Sequence, residues 1–180
     1  GTGSSNQIDG LLSLVTSSQT LSSGTNGAAL SFALLDELMD GVVDEDGQVD
    51  YLMMPSRTLR SYYALLRALG GASIGDTATL PSGAQVPAYR GTPIFRNDWI
   101  PTTQTQGTES AATSILAGTL DDGSMSYGIS GLTAADAAGI RVEEVGTSET
   151  KDETITRVKW YTGLANYNEK GLAILTGVNN

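Results

Sequence analysis

The chain has 180 residues, 39% of them hydrophobic, which is enough to bury roughly 70% of the surface that the unfolded chain exposes. Twenty acidic residues against ten basic ones give a net charge of -10, which disfavours sequence-independent binding of nucleic acid. The sequence contains neither cysteine nor histidine, so it excludes disulfides, thiolate metal sites and any Ser-His-Asp catalytic arrangement.

The N-terminal residues carry no targeting signal. No apolar run approaches the roughly 20 residues that span a bilayer, and Gly1 to Asn6 lacks the charged and apolar pattern of a signal peptide. We therefore expect a soluble chain with no membrane partner. Because the sequence begins without Met in a polar glycine turn, we also expect it to be a piece of a longer protein.

The first third of the chain predicts two helices separated by a strand. After a short apolar patch at 11–15 and a flexible polar connection at 16–27, Asn26 is placed to cap a helix over Ala28 to Asp40. An acidic turn, Asp44-Glu45-Asp46-Gly47, leads to a buried strand over Val49 to Met54 that Pro55 ends. Ser56 then caps a second helix over Arg57 to Leu69.

The stretch from Tyr89 to Pro101 marks the change from helices to sheet. Gly91 can take a positive φ, and the β-branched and aromatic residues that follow predict a strand from Thr92 to Ile100, with Ile94 and Trp99 buried. The preceding segment from Ala72 to Ala88 is predicted to be a loop with a turn at Pro81-Ser82-Gly83.

The last third predicts short strands joined by turns. The predicted strands are Ala112 to Leu120, Met125 to Ile129, Ile140 to Val145, Thr154 to Leu164 and Leu172 to Val178. Alternation in Thr154 to Leu164 predicts that Val158, Trp160 and Leu164 are buried, and Leu172 to Val178 is predicted to be its antiparallel partner. The fold class that this pattern indicates is α+β.

Acidic residues form the candidate sites for chemistry. Aligning Gly47 with the glycine of a calcium loop puts Val42 at the first ligand position and Met53 at the last, so the match fails and a solvated turn is the better interpretation. Asp121 and Asp122 precede a glycine in a typical turn, and Glu143 and Glu144 point to opposite faces of a strand. We predict no catalytic residue, no metal ligand and no cofactor site, and hence no enzyme.

Three arginines, Arg57, Arg60 and Arg67, lie on one face of the second predicted helix in an otherwise acidic chain. The simpler interpretation is a solvated face opposite the core. The functional one is a subunit contact with the Asp44, Glu45 and Asp46 turn of a neighbouring copy.

The order of these pieces resembles the major capsid protein of tailed double-stranded DNA bacteriophages, whose fold is shared with encapsulins. The segments that carry the resemblance are Gly1-Thr2-Gly3 with Gly10-Leu11-Leu12, the helix at 28–40, Tyr51 to Arg57, Arg90 to Phe95, and the strands of Thr156 to Val178. Their order and spacing carry it, since no single motif is diagnostic.

The resemblance implies a phage major-capsid fold: an axial domain of helices packed on a mixed sheet, plus C-terminal strands of a peripheral domain. It implies a peripheral-domain remnant and flexible connection at 1–25, the axial domain at 26–145 and returning peripheral strands at 146–180. The family's N-terminal arm, extended loop and spine helix have no counterpart in this sequence. We therefore expect this chain alone to be a monomer or small oligomer. The segments Ala72 to Pro87 and Thr102 to Ser110 are candidates to face the capsomer axis.

The function that the resemblance implies is that of a structural subunit. It would assemble with itself into pentamers and hexamers in the host cytoplasm, form the capsid of a virion, and meet the enclosed double-stranded DNA only indirectly. An encapsulin-like nanocompartment shell subunit is the alternative within the same fold. A secreted strand-rich binding module is the competitor from another class, and a hydrolase using paired carboxylates is a remote one.

Overall fold

A computed structural model of the chain describes residues 8, 10–43, 48–69, 77–134, 139–147 and 150–179. The helices are α1 (Leu11–Leu14), α2 (Phe32–Val43) and α3 (Ser56–Ala68), with 3-10 turns at Ser17–Gln19 and Glu169–Gly171. The first six strands are β1 (Thr20–Ser22), β2 (Tyr51–Met54), β3 (Thr77–Thr79), β4 (Gln85–Tyr89), β5 (Thr92–Arg96) and β6 (Gln104–Gln106). The remaining strands are β7 (Glu109–Gly118), β8 (Ile129–Thr133), β9 (Arg141–Thr147), β10 (Thr154–Lys159), β11 (Thr162–Asn166) and β12 (Leu172–Val178).

A mixed sheet is the centre of the fold. Within the described residues it has eight strands in the order β1-β12-β7-β2-β5-β4-β3, with β6 paired to β7. The β1/β12 and β2/β5 pairs are parallel, and the other pairs are antiparallel. The α+β class is confirmed.

Both faces of the central strands are covered. Residues of β2 alternate, so that Leu52 and Met54 contact α2 and α3 while Tyr51 and Met53 face the other side. Ile115 and Leu116 of β7 divide between the same two sides, and both are almost fully buried. Strand β7 is accordingly buried without a break from Ala112 to Gly118, including the polar Thr113 and Ser114.

The helix starts differ from the predictions in their caps. Helix α2 begins at Phe32 because Ser31 Oγ accepts the Leu34 N–H, whereas Asn26 instead accepts the Thr108 N–H and was wrongly predicted to cap this helix. Helix α3 begins at Ser56, whose N–H is capped by Asp98 Oδ1 at 2.8 Å rather than by its own side chain. That carboxylate lies 42 residues away in sequence.

The segment that was predicted to be a loop before Tyr89 contains a hairpin. Strands β3 and β4 pair across the predicted turn, where the Gly83 N–H donates to the Leu80 carbonyl. Arg90 and Gly91, with φ of 51° and 82°, then join β4 to β5 in the left-handed conformation that tight hairpins need. The prediction of a positive φ at Gly91 is confirmed.

Strand β5 ends earlier than predicted. Ile94 is buried as expected, but Asn97 Oδ1 accepts the Trp99 N–H and turns the chain away from the sheet. Trp99 is 95% exposed, so the prediction of a buried tryptophan was wrong. The turn competes successfully with strand propensity because Asn and Asp side chains bond their own backbone.

The C-terminal strands also differ from the predictions. Leu172–Val178 pairs antiparallel with β7 and parallel with β1, not with Thr154 to Leu164. The predicted strand Met125 to Ile129 is a series of bends up to Gly128, and Thr154 to Leu164 is two strands that pair with β9 and β8 respectively. The domain division at 26–145 and 146–180 stays a prediction, although β12 lies inside the same sheet as β2 and β7.

Candidate functional site

Two tyrosines of the described residues have raised pKa values. Burial, with a smaller effect of the Asp50 charge, raises the pKa of Tyr51 to about 12, and burial with the Asp36 hydrogen bond raises that of Tyr89 to about 12. Both phenols therefore stay protonated at neutral pH and cannot act as bases. A search of the described residues finds no group of three potential metal ligands.

The paired carboxylates take structural roles. Asp121 and Asp122 accept the N–H groups of Met125 and Ser124, as expected for a turn. Glu143 binds Lys159 at 2.6 Å and Arg141 at 3.2 Å, and these partners lower its pKa, the Lys159 hydrogen bond having the largest effect. A lowered pKa is the opposite of what a carboxyl acting as a general acid requires.

The three arginines of the predicted face have different environments. Arg57 is half-buried and donates through Nη2 to the Ala111 carbonyl at 2.5 Å and through Nη1 to the Thr102 carbonyl at 3.4 Å. Arg57 therefore ties α3 to the sheet, whereas Arg60 and Arg67 are exposed. Asp44, Glu45 and Asp46, the proposed partners on a neighbouring copy, lie outside the described residues.

A two-stranded ribbon formed by β9 and β10 exposes apolar side chains. In its register Val142 pairs with Val158 while Glu143 pairs with Arg157, so the valine pair and this charged pair occupy opposite faces, and Glu144 lies two residues from Val142 on the valine face. Val142 is 63% and Val158 is 65% exposed. The sequence prediction that Val158, Trp160 and Leu164 are buried was wrong: Val158 and Trp160 are 65% and 60% exposed, and Leu164, which lies in β11 and not in this ribbon, is 37% exposed.

Alternation alone could not have revealed this outcome. A half-apolar strand reads the same whether its apolar face meets the subunit's own core or remains exposed. The signal that was available is the composition around it, with five charged residues between Arg141 and Glu144 and between Arg157 and Lys159. An isolated two-stranded ribbon is marginally stable in water, so an exposed apolar face on one indicates an interaction surface.

Trp99 is the most exposed large apolar side chain of the described residues, and its turn is held from several sides. Asp98 accepts the Ser56 N–H and forms an ion pair with Arg96, while Asn97 Oδ1 accepts the Trp99 N–H at 3.1 Å. Ile100, the next residue, is buried in the core. The backbone under Trp99 is thus fixed, which lowers the entropy cost of burying its side chain against a partner.

An apolar groove of about 700 Å³ lies on the side of the sheet away from α2 and α3. Its walls come from α1, the central strands, the β3–β4 turn and β11: Leu11, Tyr51, Met53, Leu80, Phe95, Ile129 and Leu164 are among the lining residues. Asp50 is at the same groove and accepts the Leu120 N–H at 2.8 Å. The groove can therefore take an apolar group with one hydrogen-bond donor.

None of the helices in the described ranges combines the length and apolarity needed to cross a lipid bilayer. No protein-family model matches the sequence, and no curated protein matches it. Comparison of the structure with solved structures does give matches.

The holo-SrpI encapsulin complex from Synechococcus elongatus PCC 7942 contains a chain that is similar in fold, with a TM-score of 0.73 and 23% sequence identity over 94% of this chain. The capsid of an empty GTA particle contains another, with a TM-score of 0.51 and 16% identity over 89% of this chain. The present chain spans 56% and 50% of those two chains, about half their length. The chain thus has the α+β phage major-capsid fold that encapsulins share, as the resemblance implied.

Proposed function

We propose that this chain is part of a structural shell subunit that assembles with copies of itself. The fold likeness to an encapsulin over 94% of the chain is the observation that carries the proposal. Shell assembly requires surfaces that bind other copies around symmetry axes rather than a reactive centre. The exposed apolar ribbon and Trp99 are surfaces of this kind.

The proposed shell is a bacteriophage-type capsid that encloses double-stranded DNA, built from pentamers and hexamers in the host cytoplasm. The net charge of -10 fits a shell that contacts DNA only indirectly and fits the other candidates equally, so charge does not distinguish them. The encapsulin-type compartment is the second candidate. It is favoured by a specific observation, the higher TM-score of 0.73 against 0.51 for the GTA capsid.

The experiment that tests assembly uses the complete product of the gene that encodes this chain. We expect negative-stain electron microscopy of the purified protein to show closed shells of uniform diameter. Nuclease-protected DNA inside shells isolated from the native host would support the phage capsid, and co-purified protein without DNA would support the encapsulin type. A complete protein that stays a monomer or small oligomer would contradict the proposal.

Variants of the ribbon make that experiment specific. Val142→Lys with Val158→Lys places two charges on the exposed apolar face, which we propose is covered in the shell, so shells should be lost while the monomer stays folded. Thr147→Lys with Thr154→Lys adds the same charge to an exposed pair at the other end of the same ribbon and is the matched control.

The arginine contact is a separate part of the proposal. Arg60 and Arg67 of one copy would meet Asp44, Glu45 and Asp46 of the next, with Arg57 retained for its bonds inside the subunit. Arg60→Glu with Arg67→Glu should then reduce the yield of shells, and more strongly at low salt, since such exposed pairs are screened by ions. Unchanged yields would remove this contact from the proposal.

The proposed domains follow the family arrangement: an axial domain at 26–145, returning peripheral strands at 146–180, and a peripheral remnant at 1–25. The β9–β10 ribbon would then belong mainly to the peripheral part. Because β12 pairs with both β1 and β7, the proposed axial and peripheral segments share the central sheet.

A further inference from the structure

We propose that Trp99 of one copy docks into the apolar groove between β2, β5, the β3–β4 turn and β11 of a second copy. This inference rests on the proposed self-association. Trp99 and the groove would form one of the contacts between copies. Both surfaces belong to the described part of the chain, and neither is covered by another described element.

Trp99 has the properties of an interface anchor. It is 95% exposed, yet the turn that carries it is fixed by Asn97, Asp98 and the buried Ile100. Tryptophan is the residue type that most often dominates binding energy when it enters a pocket, because it buries a large rigid surface. A tryptophan held out into water by a rigid turn gains nothing for the isolated subunit.

The groove has the matching shape and chemistry. Its volume of about 700 Å³ exceeds that of one indole, and Met53, Phe95 and Leu164 in its walls offer apolar contact. Asp50 supplies the polar feature: it accepts one hydrogen bond, from the Leu120 N–H, and a carboxylate has room for more. A buried indole N–H needs an acceptor, which the Asp50 carboxylate provides.

The two surfaces are different patches of the same subunit, so the contact is head-to-tail. Such a contact closes into a ring when successive rotations add up to a full turn. One tryptophan buries about 150–250 Å², far less than the roughly 1,200 Å² of a stable complex, so two copies should associate weakly and a closed ring more strongly. A weak contact of this kind agrees with the expectation that the chain alone forms at most a small oligomer.

The test uses complementation between two variants. Trp99→Ala removes the anchor and leaves the groove, and Leu164→Glu charges the groove and leaves the anchor. Each variant alone should lose at least tenfold in self-association by sedimentation, whereas a mixture of equal parts, measured up to about 1 mM because an open pair lacks ring closure, should form a weak 1:1 dimer that grows no further. Leu132→Glu is the matched control, because Leu132 is exposed on the neighbouring register position of the same two-stranded sheet and does not line the groove.

Fluorescence gives a second measurement. In a Trp160→Phe background Trp99 is the sole tryptophan, and its emission should shift to shorter wavelength and lose access to iodide as concentration rises. Adding Asp50→Asn should weaken association without moving the tryptophan into water completely. If the wild type associates but the mixture does not complement, the docking is wrong while self-association stands. A wild type that stays monomeric to about 1 mM, with Trp99 fully quenchable, overturns the docking, whereas the proposed shell assembly is decided separately on the complete gene product.

Discussion

Replacing Ile94 and Trp99 by alanine, each in turn, tests how the fold divides buried from exposed apolar residues along one short segment. Ile94 is 1% exposed and packs in β5 opposite Leu52 of β2, whereas Trp99 is 95% exposed five residues later. Removing three buried carbons at about 0.8 kcal/mol each costs roughly 2.4 kcal/mol of transfer free energy. The cavity left between β2 and α3 raises the expected loss for Ile94→Ala to about 3–4 kcal/mol.

The tryptophan substitution should behave differently despite removing the larger side chain. Trp99→Ala should change the free energy of unfolding by no more than about 0.5 kcal/mol, because its side chain has almost no contacts within the subunit. For a chain of this size the loss of 3–4 kcal/mol expected for Ile94→Ala lowers the melting temperature by about 6–16 °C.

The measurement is urea unfolding followed by far-ultraviolet circular dichroism, at low micromolar concentration so that association does not contribute. Equal slopes of the transitions for both variants would show that the unfolding reaction is the same. If Trp99→Ala destabilises the chain as much as Ile94→Ala, the exposed position of Trp99 is incorrect, and the argument for docking loses its basis.

Two further predictions concern the turn and the central sheet. Hydrogen bonds from Arg96 and then Ser56 lower the pKa of Asp98 from 3.8 to about 2, so Asp98 stabilises the fold above its unfolded pKa. The difference in urea midpoint between wild type and Asp98→Asn should be full near pH 6 and disappear as pH falls from about 4 to 2. Separately, a Cβ at Gly118 would lie 2.5 Å from the Tyr51 hydroxyl, so Gly118→Ala should cost about 1–3 kcal/mol by urea unfolding.

Each of these two predictions has its own control. Glu144→Gln alters an exposed carboxyl of the β9–β10 ribbon that does not bind α3, so a similar pH profile for it would contradict the role given to the Asp98 cap. Tyr51→Phe removes the hydroxyl that the new methyl group would meet, and the double variant should recover part of the loss. Strict additivity of the two substitutions would show that the crowding lies elsewhere.

Several elements of the fold could be predicted from the sequence because interactions between residues close in sequence determine them. The strand ending at Met54 and the helix after Pro55 follow from an apolar run, a proline and helical spacing, and both are present. The positive φ of Gly91 follows from the absence of a Cβ, and the turn at Asp121 and Asp122 follows from side chains that bond nearby backbone.

The parts that failed depend on residues distant in sequence. The partner of Leu172–Val178 is β7, and nothing within the strand distinguishes that partner from the strand of similar character just before it. The cap on α3 comes from Asp98. Asn26 accepts the Thr108 N–H instead of capping α2. Local propensity identifies an available donor or acceptor but does not identify which distant group will use it.

The candidate surfaces were the hardest to predict. An exposed Trp99 violates the expectation that large aromatic residues are buried, and only the Asn97-Asp98 pair before it argued for a turn. Alternation correctly predicted which residues of β10 share a face, but the prediction that this face is buried in the core was wrong. Sequence periodicity does not say whether a face is covered by the same chain or by another.

The position of β12 has a consequence for the order of events during synthesis. This strand pairs with residues 20–22 on one side and with β7 on the other, so it joins the beginning of the described sheet to its middle. Contacts over such sequence distances form late and slowly, since most of the chain must be present before they can close. On a ribosome the sheet stays open until Leu172–Val178 has left the exit tunnel. A nascent chain therefore cannot complete its central sheet before synthesis has passed this strand.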